Sequence, residues 1–202
     1  MKIITLRVGQ LGTNCYLIES DEKVGIIDPG DDGGYIIDQI QRLELSTAWI
    51  LATHGHFDHV LAAMELSLTF KIPFYIHPKD EFLLKNSHDA AFYFTKVKTE
   101  PFLIKPNFIK ENDVLKIGSS IFKIIEVPGH TPGSICLYSK SENVLFCGDL
   151  VFAGGNVGRT DFKYSSEDNL WRSIKKILKR SKNTKIFPGH GENLELGDLR
   201  FS

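Results

Sequence analysis

Three apolar runs in this chain end the same way, in a glycine-punctuated turn that carries histidine. Ala48 to Ala52 leads into Thr53-His54-Gly55-His56-Phe57-Asp58-His59, Ile121 to Val127 into Pro128-Gly129-His130, and Lys185 to Phe187 into Pro188-Gly189-His190. A fourth run, Val144 to Cys147, ends in Gly148-Asp149. A β-rich run, a tight turn and then a polar residue place these side chains at strand ends. Five of the seven histidines fall in these segments. Histidines without a shared purpose are not expected to collect at equivalent turns, whereas imidazole and carboxylate gathered this way are what a borderline metal such as zinc takes.

At 202 residues and 42% hydrophobic, the chain can bury a sizeable core as one domain, residues 1–202, without disulfides. Its formal net charge of -1 gives no global attraction to nucleic acid or to an anionic membrane. Cys15, Cys136 and Cys147 are far apart in apolar runs, as buried structural thiols in a reducing compartment would be. The N-terminus lacks a signal peptide's apolar run and no segment approaches a membrane span, so a cytoplasmic protein is expected.

Further strands are predicted at Ile3 to Val8, Cys15 to Ile18, Val24 to Asp28, Val114 to Ile117 and Ile135 to Tyr138. Helical spacing recurs at Ile36, Ile37, Ile40 and Leu43, and again at Leu61, Met64 and Leu68. Asn86 to Lys110 reads as a long loop or lid, its aromatics Phe92, Tyr93 and Phe94 forming either a substrate wall or packed core. A last helix is predicted near Ser165, with Asp168 as capping-box partner and Leu170, Ile174, Ile177 and Leu178 buried. The basic run from Lys175 to Lys185 is then a solvated face. His77 and His88 read as ordinary surface or loop histidines.

In an extended strand end alternate side chains share a face, so His54 and His56 can converge on one metal. Asp58 and His59, where the chain turns into a helix, can point toward a second. Four ligands from six residues cannot complete two sites, and His130, Asp149 and His190 are candidates of the right type.

The ordered set His54-x-His56-x-Asp58-His59, His130, Asp149 and His190 resembles the ligand set of the metallo-β-lactamase superfamily. The similarity continues through Thr13-Asn14-Cys15-Tyr16-Leu17, Asp28-Pro29-Gly30, His130-Thr131-Pro132-Gly133-Ser134 and Gly158-Arg159-Thr160-Asp161-Phe162. Within the superfamily the chain looks most like the glyoxalase II-like (hydroxyacylglutathione hydrolase-like) subgroup. The resemblance implies an α/β fold, an αβ/βα four-layer sandwich of two mixed β-sheets flanked by helices. It also implies two divalent metal ions, zinc, with iron or manganese as alternatives. His54, His56 and His130 would bind the first metal, Asp58, His59 and His190 the second, and Asp149 would bridge. Asp28 is either an outer residue orienting a ligand histidine or a turn-forming aspartate.

The implied activity is metal-dependent hydrolysis of a small-molecule thioester such as S-lactoylglutathione, with Asp58 and Asp149 as catalytic carboxylates serving a metal-bound hydroxide. A thiol of pKa about 8.5 departs as thiolate, whereas an amine must be protonated, and no extra motif supplies an acid. Arg159 can contact an anionic part of the substrate, assisted by Lys163 or Tyr164, or can pair with Asp161. Glyoxalase II enzymes that hold glutathione tightly use an additional C-terminal helical domain, and only 12 residues follow His190. The rival reading is a persulfide dioxygenase with one iron on His54, His130 and Asp149. A lactonase or β-lactamase, and a non-catalytic metal-stabilised binding module, are further alternatives. No nucleic-acid or membrane partner is expected, and the chain would act as a monomer or homodimer.

Overall fold

Adjacent residues along the central strands are apolar in pairs, Leu17-Ile18, Ile26-Ile27, Ile50-Leu51, Ile124-Ile125, Cys136-Leu137 and Leu145-Phe146, and every one of them is buried. Because successive side chains leave a strand on opposite faces, such strands must be covered on both sides. The computed structural model, which describes residues 1–201, meets this requirement with two six-stranded sheets. One contains β1 (Lys2–Val8), β2 (Thr13–Ser20), β3 (Lys23–Ile27), β4 (Ser46–Leu51), β5 (Phe74–Ile76) and β6 (Asn107–Phe108) in sequential order. It is antiparallel through β3 and parallel from β3 onward. The other contains β7 (Val114–Ile117), β8 (Ser120–Glu126), β9 (Ile135–Ser139), β10 (Val144–Gly148), β11 (Lys185–Pro188) and β12 (Leu194–Glu195), with β10–β11 its one parallel pairing.

Three apolar layers result. Ile18, Ile27 and Leu51 of the first sheet meet Phe122, Ile124, Leu137 and Phe146 of the second. The outer face of the first sheet receives Ile36 and Ile40 of α1 (Gly33–Arg42) and Ala63 and Leu66 of α3 (Ala63–Phe70). That of the second receives Leu170, Ile174 and Ile177 of α6 (Glu167–Ile177). The architecture is the expected four-layer αβ/βα sandwich.

Several local expectations are corrected. The segment Asn86 to Lys110 is not irregular throughout: it holds α5 (Ser87–Thr95) and the short β6. The buried positions of α5 are the small residues Ser87 and Ala91, four apart, so its inward face carries no large apolar period to read. Leu68, 61% exposed, points away from the core, and Leu66 takes the inward position instead. The last helix is capped by Ser166, whose hydroxyl accepts the Asn169 N–H. Ser165 instead donates to the His130 carbonyl at 2.7 Å. Leu178 is 42% exposed, because the helix ends at Ile177 before its face returns to the sheet. His77 is buried, capping the turn at Pro78 and lying 3.0 Å from Glu126.

All three cysteines are free and buried, and burial pushes their thiols far above the ordinary value. A disulfide-exchange reagent at mildly alkaline pH should therefore find no reactive thiol in the native chain and three after unfolding. A rapid native titre of one or more would contradict this packing.

Candidate metal centre

The C-terminal ends of β4, β8, β10 and β11 deliver His54, His130, Asp149 and His190 to one edge of the sandwich. His56 occupies the N-cap of the one-turn helix α2 (Phe57–Val60), and Asp58 and His59 lie within it. The turn after β3 is part of the same construction. Asp28 adopts a positive φ of 51°, a conformation aspartate tolerates better than most residues. Its carboxylate accepts the Thr53 N–H at 2.6 Å and the Thr53 hydroxyl at 2.7 Å. The same group lies 3.0 Å from His59 Nδ1. Asp28 thus sits at a turn, as a turn-forming aspartate does, and also places its carboxylate beside the outer nitrogen of the His59 ring. The Thr13-Asn14-Cys15-Tyr16 segment ties the other sheet's last turn down. Asn14 Nδ2 donates to the Pro188 and Gly191 carbonyls, each at 3.0 Å, and the Tyr16 hydroxyl donates to Pro188 at 2.6 Å.

The side chains converge as two sets around a shared carboxylate. His54, His56 and His130 offer ring nitrogens within 4.8 Å of one another, and Asp58, His59 and His190 bring one carboxylate oxygen and two ring nitrogens equally close together. His56 Nδ1 is 3.1 Å from His54 Nε2 and 2.9 Å from His130 Nε2. In the second set Asp58 Oδ2 lies 3.5 Å from His59 Nε2 and 3.2 Å from His190 Nε2. Asp149 stands between the sets: Oδ2 is 3.6 Å from His130 Nε2 and 3.7 Å from His190 Nε2, and Oδ1 is 3.5 Å from His59 Nε2. All seven residues singled out in the sequence meet here.

Electrostatics separates the sets. Burial, reinforced by neighbouring imidazoles, holds His54 well below the ordinary imidazole range and His56 at about 3, so both rings are neutral at pH 7. Burial also opposes charge on His59, but the carboxylates of Asp58, Asp28 and Asp149 outweigh it and raise its pKa. His190 is likewise raised, its burial offset by Asp58 and Asp149. Asp58, despite burial, is held below the usual carboxylate range by His59 and His190.

One further residue completes the frame. Asp80, fully buried, accepts the Gly55 N–H at 2.9 Å, the Gly133 N–H at 2.7 Å and the Thr131 hydroxyl at 2.6 Å. It thereby clamps the His54–His56 turn to the His130 turn. Sequence reading missed it, although it follows β5 within a few residues, the same signal that marked the histidine turns. The site opens into a cavity of about 510 Å³ whose wall includes Leu11, Leu83, Phe94, Phe152, Phe162, Tyr164 and Arg159. Phe94 is thus part of the wall, whereas Phe92 and Tyr93 are exposed outside it. Arg159 is held by Asp161 through contacts of 2.5 and 2.6 Å. Lys163 does not line the cavity.

His59 Nε2 and Asp149 Oδ1 are buried without a hydrogen-bond partner. A Cβ on Gly189 would collide with Asp149 Oδ1 and His59 Cε1, so the backbone there leaves space that a side chain would fill. Buried atoms left without partners in a set of imidazoles and carboxylates suit divalent cations of the zinc or iron type, which take these donors in their deprotonated forms. The residues present therefore fit a pair of metal ions.

Fold and site together define a four-layer αβ/βα protein with a histidine–aspartate centre at the sheet edge. The chain belongs to the metallo-beta-lactamase superfamily, whose family model matches residues 8–190. It is similar to the hydroxyacylglutathione hydrolase GloC of Haemophilus influenzae, at 38% identity covering 100% of this chain and 96% of that protein. Among solved structures it is similar to BLEG-1, a B3 metallo-beta-lactamase (TM-score 0.90, 32% identity, 98% of this chain and 95% of the other). It is also similar to TTHA1623 in a di-iron-bound form (TM-score 0.88, 32% identity, 96% and 95%).

Two outcomes are expected. Asp80→Ala strands two N–H groups and a hydroxyl in the interior, and at about 1–3 kcal/mol each should destabilise the chain by roughly 3 kcal/mol or more, measured by denaturant unfolding. A loss below about 1 kcal/mol would remove Asp80 as the clamp. The second concerns pH. Metal must displace a proton from His59, whose pKa is raised to about 10, and the raised pKa of His190 adds to that competition, whereas His54 and His56 are already neutral. Zinc titrations at about pH 7.5 and about pH 5.5 should show the second set losing more affinity with acid than the first, and equal losses in the two sets would contradict the assignment.

Proposed function

We propose that this chain is a metal-dependent hydrolase of small thioesters, with S-lactoylglutathione the first substrate to test. The observation that carries the reading is the convergence of the whole seven-residue set on one edge. His54, His56 and His130 would hold one cation, Asp58, His59 and His190 the other, and Asp149 would reach both. The likeness to a hydroxyacylglutathione hydrolase over the full chain supports the choice of thioester.

Two divalent cations, zinc for preference and iron or manganese as alternatives, would supply an activated water and a Lewis acid for the carbonyl oxygen. The chain's own residues do the rest. The Thr13 hydroxyl donates to Asp58 Oδ2 at 3.0 Å and fixes that carboxylate's orientation. Leu11, Leu83, Phe94 and Phe152 give the cavity an apolar wall for the acyl portion of the substrate. A thiolate leaves without a proton, so a thioester needs no dedicated acid for its leaving group, whereas an amide does. Arg159 can meet an anionic substrate group by giving up part of its pairing with Asp161. The near-neutral charge accords with a small-molecule substrate rather than nucleic acid or membrane, and no helix among the described residues is long and apolar enough to cross a membrane. We take the chain to act in the cytoplasm as a monomer or homodimer.

The metal-loaded chain should hydrolyse S-lactoylglutathione or another member of a thioester panel and lose that activity to a chelator. Asp149→Asn and His190→Ala should each lower kcat/KM by about 10³-fold, roughly 4 kcal/mol of barrier. Oxygen uptake with glutathione persulfide, one iron per chain and no thioester turnover would replace this reading with the dioxygenase.

A further inference from the structure

The hydroxyl of Tyr164 lies 2.9 Å from His56 Nε2, on the side of the ring opposite the converging nitrogens. We infer that Tyr164 is a positioning residue of the metal centre, its oxygen accepting the His56 Nε2–H and so holding Nδ1 turned inward with a free lone pair. The inference rests on the metal ligation proposed above and extends it to a residue that ligates nothing itself.

The tautomer argument is direct. His56 Nδ1 faces His54 Nε2 and His130 Nε2 at 3.1 and 2.9 Å, so it is the nitrogen that can share a cation with them. A neutral imidazole with its lone pair on Nδ1 carries its proton on Nε2, and an acceptor placed at Nε2 selects that form. The other rings of this set are treated alike. His130 Nδ1 is 2.8 Å from the Arg159 carbonyl, which can only accept, and this leaves His130 Nε2 free to face inward. His54 Nδ1 meets the Thr53 hydroxyl at 3.2 Å. His56 alone draws its outer partner from a side chain remote in sequence.

Tyr164 is itself held in place. Its ring stacks on Phe162 with centroids 5.2 Å apart and planes 11° from parallel, and meets Phe82 edge-on at 5.4 Å. The Arg159 guanidinium lies over the other member of the stack, Phe162, at 4.4 Å. One short segment, residues 159–164, therefore sets the orientation of both His130, through a backbone carbonyl, and His56, through a hydroxyl. The Arg159–Asp161 pair braces that segment in addition to any contact it makes with substrate.

Tyr164→Phe tests this because it keeps the stacked ring and removes only the acceptor. Zinc competition against a chromophoric chelator should show the cation held by His54, His56 and His130 weakened about 10- to 100-fold, with the melting temperature of the metal-free chain unchanged. Long-range proton–nitrogen NMR of the zinc-loaded parent should show His56 protonated on Nε2 and ligated through Nδ1. If the parent binds two zinc ions and Tyr164→Phe leaves both affinities as they were, or if His56 proves ligated through Nε2, the role of Tyr164 is overturned while the metal centre stands. A parent that binds no zinc, iron or manganese would overturn both.

Discussion

The imidazole of His59 has no exposed side-chain surface, and three carboxylates approach it: Asp28 at 3.0 Å, Asp58 at 3.5 Å and Asp149 at 3.5 Å. At an effective dielectric constant near 20, a unit charge pair at such a distance is worth on the order of 5 kcal/mol. Three of them therefore outweigh the burial penalty on a single ring, which is why the ring is driven toward its protonated form. One proton cannot balance three carboxylates. Negative charge gathered at a largely buried sheet edge favours further positive charge beside it, and two divalent cations answer that requirement with the donor types already in place.

The sandwich exists, from the site's point of view, to bring four strand ends to one place and stop them moving. The parallel strands of the first sheet and the β10–β11 pair of the second all end at the same edge. The turns that follow are cross-linked by polar groups rather than by apolar packing. Asp80 joins the His54 and His130 turns, Asn14 and Tyr16 hold the His190 turn, and the Arg159 carbonyl fixes His130. Gly30 permits the closest of these approaches, since a Cβ there would strike the Asp58 carbonyl. A frame assembled from many buried hydrogen bonds is rigid, and rigidity suits a site whose ligands must keep their geometry against mutual repulsion.

Nine of the twelve described strands and all seven converging residues were legible in the sequence because both signals are local, β-branched apolar runs and polar residues punctuated by glycine at their ends, whereas β5, β6 and β12 are only two or three residues long and show no such run. What escaped was set by tertiary context. The inward face of α5 is lined by Ser87 and Ala91, which leave no apolar periodicity, so the helix was hidden in a stretch that reads as loop. Leu68 and Leu178 satisfy helical spacing but fall beyond the arc the sheets can cover. His77 looked like a surface residue because nothing near it in sequence announces Glu126, its partner across the second sheet. Asp80 and Tyr164 act through contacts 25 to 108 positions away, a separation at which residue type alone carries no information.

Anomalous diffraction from crystals of the metal-loaded chain, recorded across the zinc, iron and manganese absorption edges, addresses the central claim most directly. Two peaks are predicted, one within coordinating distance of His54, His56 and His130, the other of Asp58, His59 and His190, with Asp149 reaching both. A single peak, or a pair with Asp149 or His190 turned away from them, would contradict the account.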